Sequence, residues 1–173
     1  MIWYNLKMEM ILVLDNIRSC YNVGAILRTA EGFGVSRVIL SGWTPRVHDQ
    51  NLLPHLREKL DKEIHKTALG AEDMLDIYPS GDIITEVKKL RSEGWQIVGL
   101  ENNIDDARLC RLGGAKDRLS DKVVLILGEE VHGIDYSLYD IIDLFLEIPM
   151  RGQKESFNVS VAAGIAMYGI MGS

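Results

Sequence analysis

Short apolar runs recur along the chain at Met10–Leu14, Arg37–Leu40, Trp95–Leu100, Val123–Leu127 and Leu144–Ile148, each rich in Val, Ile or Leu. Mostly apolar runs of this length read as strands covered on both faces. Between most of them lie stretches with apolar residues at helical spacing, notably Val23–Phe33, Ile83–Arg91 and Val159–Met171. The alternation predicts an α/β fold, a mostly parallel sheet with helices on both faces. Ligands of open parallel sheets gather at the carboxyl ends of the strands. Those ends carry Asp15 and Asn16, Glu101 and Asn102, Gly128 and Glu129, and Pro149 and Met150. The segment Ser41–Thr67, with Pro45, Pro54, His48, His55 and charges of both signs, is either a partly helical excursion over that edge or a solvated connection.

Composition narrows the class. A chain of 173 residues, 47% hydrophobic and 25% charged, fits one soluble domain, 1–173, with a sizeable core. No run approaches the ~20 apolar residues of a membrane span. The opening Met1–Lys7 lacks the basic start and apolar core of a signal peptide, so the cytoplasm is the expected location. Cys20 and Cys110 are too few for a disulfide framework or a four-ligand zinc site and are expected as reduced thiols, with no metal. A net charge of −6 argues against broad nucleic-acid binding, so any RNA contact must be local.

Three stretches carry candidate chemistry. In Asn22–Gly34, Asn22 reads as a helix N-cap, Gly34 as a stop, and Val23, Ile26, Leu27, Ala30 and Phe33 as a core stripe. Gly24, Arg28 and Gly32 then share another face, at a helix cost of up to ~1 kcal/mol per glycine. That face either receives a close neighbour or presents Arg28 as the surface partner of Glu31. The second stretch, Gly128–Asp135, lacks the Gly-Lys-Ser/Thr of a phosphate loop, and no Gly-x-Gly-x-x-Gly occurs in the chain, which disfavours triphosphate and dinucleotide sites. Glu129 suits a ribose, an amine or a sulfonium; Glu130 reads as a solvated acid, and His132 as a turn residue. In the third, Ile148–Ile165, Pro149 stops a strand, and Ser156 and Asn158 are positioned to cap a helix. That helix, Val159–Met171, is apolar nearly all round, which places it within the core or against a second copy, the latter being preferred for a terminal element.

Together these stretches resemble the three motifs of the SpoU-type (TrmH-like) RNA 2′-O-ribose methyltransferases of the SPOUT superfamily. Asn22-x-Gly24 with Arg28 is similar to the first, Leu127-Gly128-Glu129 with Gly133 to the second, and Ile148-Pro149-Met150 with Ser156 to Ala162 to the third. Lys66–Glu72 is similar to a further segment common in the family, while Phe157 stands where leucine is more usual. The resemblance runs from Ile11 to Met171. It implies S-adenosyl-L-methionine as methyl donor, a homodimer and a C-terminal trefoil knot. The few residues before the first strand leave the expectation of no appended RNA-binding domain. By the same carry-over the cofactor is expected at Leu100, Glu101, Leu127, Gly128, Ile148 and Met150, closed by Ser156, Phe157, Asn158 and Val159.

Methyl transfer to a ribose hydroxyl asks a protein mainly for alignment of nucleophile, methyl and leaving sulfur. Arg28 is the expected anchor of the target nucleotide's phosphate, since a guanidinium holds its proton too firmly to be an ordinary base. Asn22, Glu129, Ser156 and Asn158 are expected to hold arginine, substrate and loop in place. The base is then the phosphate, water or a transiently neutral Arg28. A non-catalytic RNA-binding dimer of the same fold is the alternative, and would not need to keep all five residues.

Overall fold

The computed structural model describes residues 8–106 and 108–172; the expectation drawn from Met1–Lys7 lies outside them. Seven strands form one sheet: β1 (Glu9–Asp15), β2 (Arg37–Ser41), β3 (Ile77–Pro79), β4 (Gln96–Leu100), β5 (Leu109–Arg111), β6 (Lys122–Leu127) and β7 (Leu144–Glu147). Their order is β3-β2-β1-β6-β4-β7-β5, and every described strand pair is parallel. Four helices cover it: α1 (Cys20–Phe33), α2 (Pro54–Ala68), α3 (Ile83–Ser92) and α4 (Val159–Met171).

The unbroken apolar runs are explained by burial on both faces. Met10, Leu12 and Leu14 of β1 point into a core shared with α1 and α4, whereas Ile11 and Val13 point into a second core with α3 and the 3-10 turn Tyr136–Ile141. Side chains alternating across a strand supply both cores from one run. The five expected strands are present with no end shifted by more than one residue, and α4 has the expected bounds. The two strands that sequence reading missed, β3 and β5, are three residues each and edge the sheet, too short for any period to show.

Two boundaries need correction. Ser19, not Asn22, caps α1: its hydroxyl accepts the Asn22 amide at 3.3 Å, and the helix begins at Cys20. The stop at Gly34 is as expected, with φ +71° in the left-handed region that glycine tolerates. The segment after β2 is helical from Pro54, and its helix α2 packs against α1. A Cβ on Gly24 would overlap the Ile64 carbonyl and the Thr67 hydroxyl of α2, so the close neighbour of that glycine is this helix. Thr67 then donates to the Tyr21 carbonyl at 2.9 Å, and buried Glu72 accepts the Gly70 amide and meets His65 Nδ1 at 2.6 Å, which ties down the end of α2.

Both cysteines are free, and no group of three metal-ligating side chains occurs among the described residues. No described helix is long and apolar enough to cross a membrane.

Candidate active site

The adjacent strands β6, β4 and β7 end at one cavity of about 340 Å³. Its wall takes Leu100 and Glu101 from the end of β4, Leu127 to Gly133 from the end of β6, Ile148 after β7, and Glu155, Ser156, Phe157 and Val159 from the approach to α4. Eight of the ten expected cofactor positions therefore share one wall. Met150 and Asn158 do not line it; Asn158 instead caps α4, accepting the Ser160 amide at 2.9 Å.

Backbone geometry explains the glycines of this wall. Gly128 opens a tight return in which Glu129 and Gly133 exchange both backbone hydrogen bonds at 2.9 Å. A Cβ on Gly128 would overlap the Gly133 carbonyl and the Ile134 nitrogen, so glycine is required by the loop's own closure. Gly133 turns at φ +72° beneath the Glu101 carboxylate, which accepts the Ile134 amide at 2.9 Å and the Asn102 amide at 3.1 Å. Glu101 thus straps the end of β4 to the loop after β6. Asn102 plays the corresponding part for β7: its amide donates to the Ile148 carbonyl and accepts the Ile148 N–H, both at 3.1 Å.

A chain of polar contacts joins the three candidate stretches. Glu130 accepts the Asn22 side-chain amide at 3.0 Å, and Asn22 in turn accepts Nδ2 of Asn158 at 3.2 Å. Glu130 is exposed, as a solvated acid is, and holds Asn22 in addition. Glu129 pairs with Arg18 at 3.0 Å on one oxygen and meets His132 Nδ1 at 3.0 Å on the other. Asn22, Glu129 and Asn158 are brought together, with Ser156 exposed on the cavity wall beside them. Arg28 is exposed on α1 and forms no ion pair among the described residues, so it is not the surface partner of Glu31.

Arg18, Tyr136 and Tyr139 were not anticipated. Arg18 meets its partner Glu129 from 111 positions away in sequence, and no local spacing announces that. Tyr136 and Tyr139 line the cavity with ring centroids 4.8 Å apart. Burial, with the Glu101 carboxylate adding to it, pushes the Tyr139 phenol up from its ordinary value, so it stays a neutral donor.

The SpoU rRNA Methylase family model matches residues 9–168, and the chain belongs to that family. The 23S rRNA (guanosine-2′-O-)-methyltransferase RlmB of Xylella fastidiosa is 32% identical over 92% of this chain and 57% of its own length. Its counterpart from Coxiella burnetii is 31% identical over 92% of this chain and 56% of its own. The chain thus spans little more than half of these relatives. Among solved structures, an rRNA methyltransferase from Sinorhizobium meliloti superposes with a TM-score of 0.75 at 25% identity, covering 93% of this chain and 54% of that one.

Proposed function

We propose that this chain, 1–173, acts as one methyltransferase domain. It passes the methyl group of S-adenosyl-L-methionine to a ribose 2′-hydroxyl of structured RNA, and ribosomal RNA is the first candidate because the relatives above carry that name. The observation that carries this reading is the link from the cavity wall through Glu130 and Asn22 to α1, the helix that presents Arg28.

The residues present fit the donor. The cavity lies in the size range of small-ligand sites, and Leu100, Leu127 and Ile148 give it an apolar floor. Glu129 and Glu155 on its rim favour a cationic sulfonium and oppose a pyrophosphate. Bound there, S-adenosyl-L-methionine supplies an electrophilic methyl carbon. The chain's own residues do the rest: Glu101 and Asn102 fix the strand ends, Asn22 and Asn158 hold the loop before α4 against α1, and Arg28 anchors a phosphate so that the neighbouring hydroxyl lines up. A guanidinium that keeps its proton serves as an anchor and not as an ordinary base.

The reading extends to a homodimer paired through α4, whose Val161 and Tyr168 lie exposed in the single chain. Exposed apolar residues on an otherwise core-like helix favour a second copy as cover. A cytoplasmic location goes with the RNA substrate. The trefoil knot is supported by β7 lying between β4 and β5, with Ile104 packed on one face of the sheet and Leu112, Ala115 and Leu119 on the other.

Incubating the protein with methyl-labelled S-adenosyl-L-methionine and bulk ribosomal and transfer RNA, followed by nuclease digestion, should yield label in 2′-O-methyl nucleosides. Label on a base would overturn the proposal. Cofactor and RNA binding without transfer would favour the non-catalytic RNA-binding dimer.

A further inference from the structure

Beside the cavity, the ends of β1 and β2 form a second, separately built surface. Asn16 stands at φ +60° and Gly42 at φ +59°, two left-handed positions facing one another. A Cβ on Gly42 would overlap the Asn16 side chain, whose Oδ1 accepts the Trp43 amide at 3.1 Å. Thr44 then accepts the Ile17 amide at 3.1 Å and donates to the Leu14 carbonyl at 2.9 Å, and both of these contacts are buried. Two short loops are so stitched that the residue between them, Trp43, is held from below and presented outward.

Its indole is 79% exposed, and its ring enters no aromatic or cation–π pair among the described residues. Large aromatics ordinarily contribute through burial, and this one forgoes it on a loop of restricted motion. Among the described residues, the cleft beside it is lined otherwise by Arg18 alone. One guanidinium nitrogen of Arg18 is fixed by Glu129 on the cofactor cavity, while 65% of the side chain stays open. An indole face next to an oriented guanidinium is the chemistry that accepts a flat nucleobase and its phosphate, since every base offers a π-face and Arg adds charge.

Resting on the reading of this chain as an RNA-modifying enzyme, we propose that Trp43 and Arg18 form a stacking platform for an unpaired nucleobase of the substrate RNA, flanking the nucleotide at the cavity. Arg18 connects the two places: it touches the cavity acid Glu129 on one side and the Trp43 cleft on the other. The platform selects single-stranded geometry, because a base within a helix offers no free face. It gives an acidic protein a local RNA contact that does not depend on overall charge.

The test uses a short oligoadenylate and an abasic ribose-phosphate strand of the same length as probes, with the full chain. Oligoadenylate should quench Trp43 emission, read as the difference between the parent and Trp43→Phe, and the abasic strand should not. Trp43→Ala should bind oligoadenylate about fivefold or more weakly, the lower end of what removing a stacking aromatic costs, and Trp43→Phe should retain most of the affinity. Both variants should bind S-adenosylhomocysteine as the parent does. Equal oligoadenylate affinity for parent and Trp43→Ala overturns the platform, as does a Trp43 emission that shifts on dilution without RNA, which would assign the face to a second copy. Failure of the parent to bind S-adenosylhomocysteine counts against the proposed activity instead and leaves the quenching result standing on its own.

Discussion

Asn158 donates its side-chain amide to the side-chain oxygen of Asn22 at 3.2 Å, joining residues 136 positions apart. The same Asn158 caps α4 with its oxygen, so one side chain both starts a helix and latches it to α1. The two roles separate by substitution. Asn158→Ala should lower stability by ~1 kcal/mol, the usual cost of an N-cap, while Asn22→Ala, which leaves both caps in place, should lower it less. Each should weaken S-adenosylhomocysteine binding, and a double-mutant cycle by calorimetry should show coupling of ~0.5–1.5 kcal/mol. Additive losses would mean that the latch does not act on the cavity.

Gly128 is required by the Gly133 and Ile134 backbone that faces it. Gly128→Val should therefore abolish S-adenosylhomocysteine binding and also lower the melting temperature. A variant of parental stability that still binds the ligand would show that the loop can open around a side chain.

Arg28 should separate chemistry from cofactor binding, because it stands exposed on α1 away from the cavity wall. Arg28→Ala should bind S-adenosylhomocysteine as the parent does and transfer methyl at least ~10²-fold more slowly, the scale expected for a misplaced reactant. Arg28→Lys should recover little, since an ammonium lacks the two-pronged grip on phosphate. Parental turnover by Arg28→Ala, measured with labelled donor, would remove the residue from the mechanism.

If the exposed face of α4 pairs two copies, light scattering should give twice the chain mass of 19.4 kDa. Val161→Glu should then give a folded monomer, since an unpaired carboxylate is costly in an apolar interface. A parent that scatters as a monomer at micromolar concentration would end the proposal.

His48 bridges Asp61 and Asp73 at 3.3 and 3.1 Å, clasping the loop before α2 to the turn after it. The hydrogen bond to Asp73, then Asp61, outweighs the opposing burial and raises the imidazole above its ordinary value near 6.5. Because the folded value is the higher one, the clasp contributes fully below about pH 6.5 and is lost as pH rises through the folded value. The melting temperature of the parent should exceed that of His48→Gln in mild acid, and the gap should close towards alkaline pH. A gap that widens as pH rises would show that charge on His48 is not what stabilises the loop.

The chain by itself determined the α/β class, five strands of the sheet, α4 to the residue, and most of the cavity wall. These features rest on local periodicity and on short motifs whose residues act near their own place in sequence: an apolar run feeds two cores, and Asn158 caps the helix that follows it. Tertiary structure decided what depends on distant partners. It gave Gly24 to α2, moved the cap of α1 from Asn22 to Ser19, freed the Asn22 side chain to bridge Glu130 and Asn158, and set Arg18 between Glu129 and Trp43. The physical reason is that a cap acts within a few residues of itself and a strand's apolar pattern is written in its own run, whereas a hydrogen bond between side chains far apart in sequence exists only after the sheet has fixed where each strand ends.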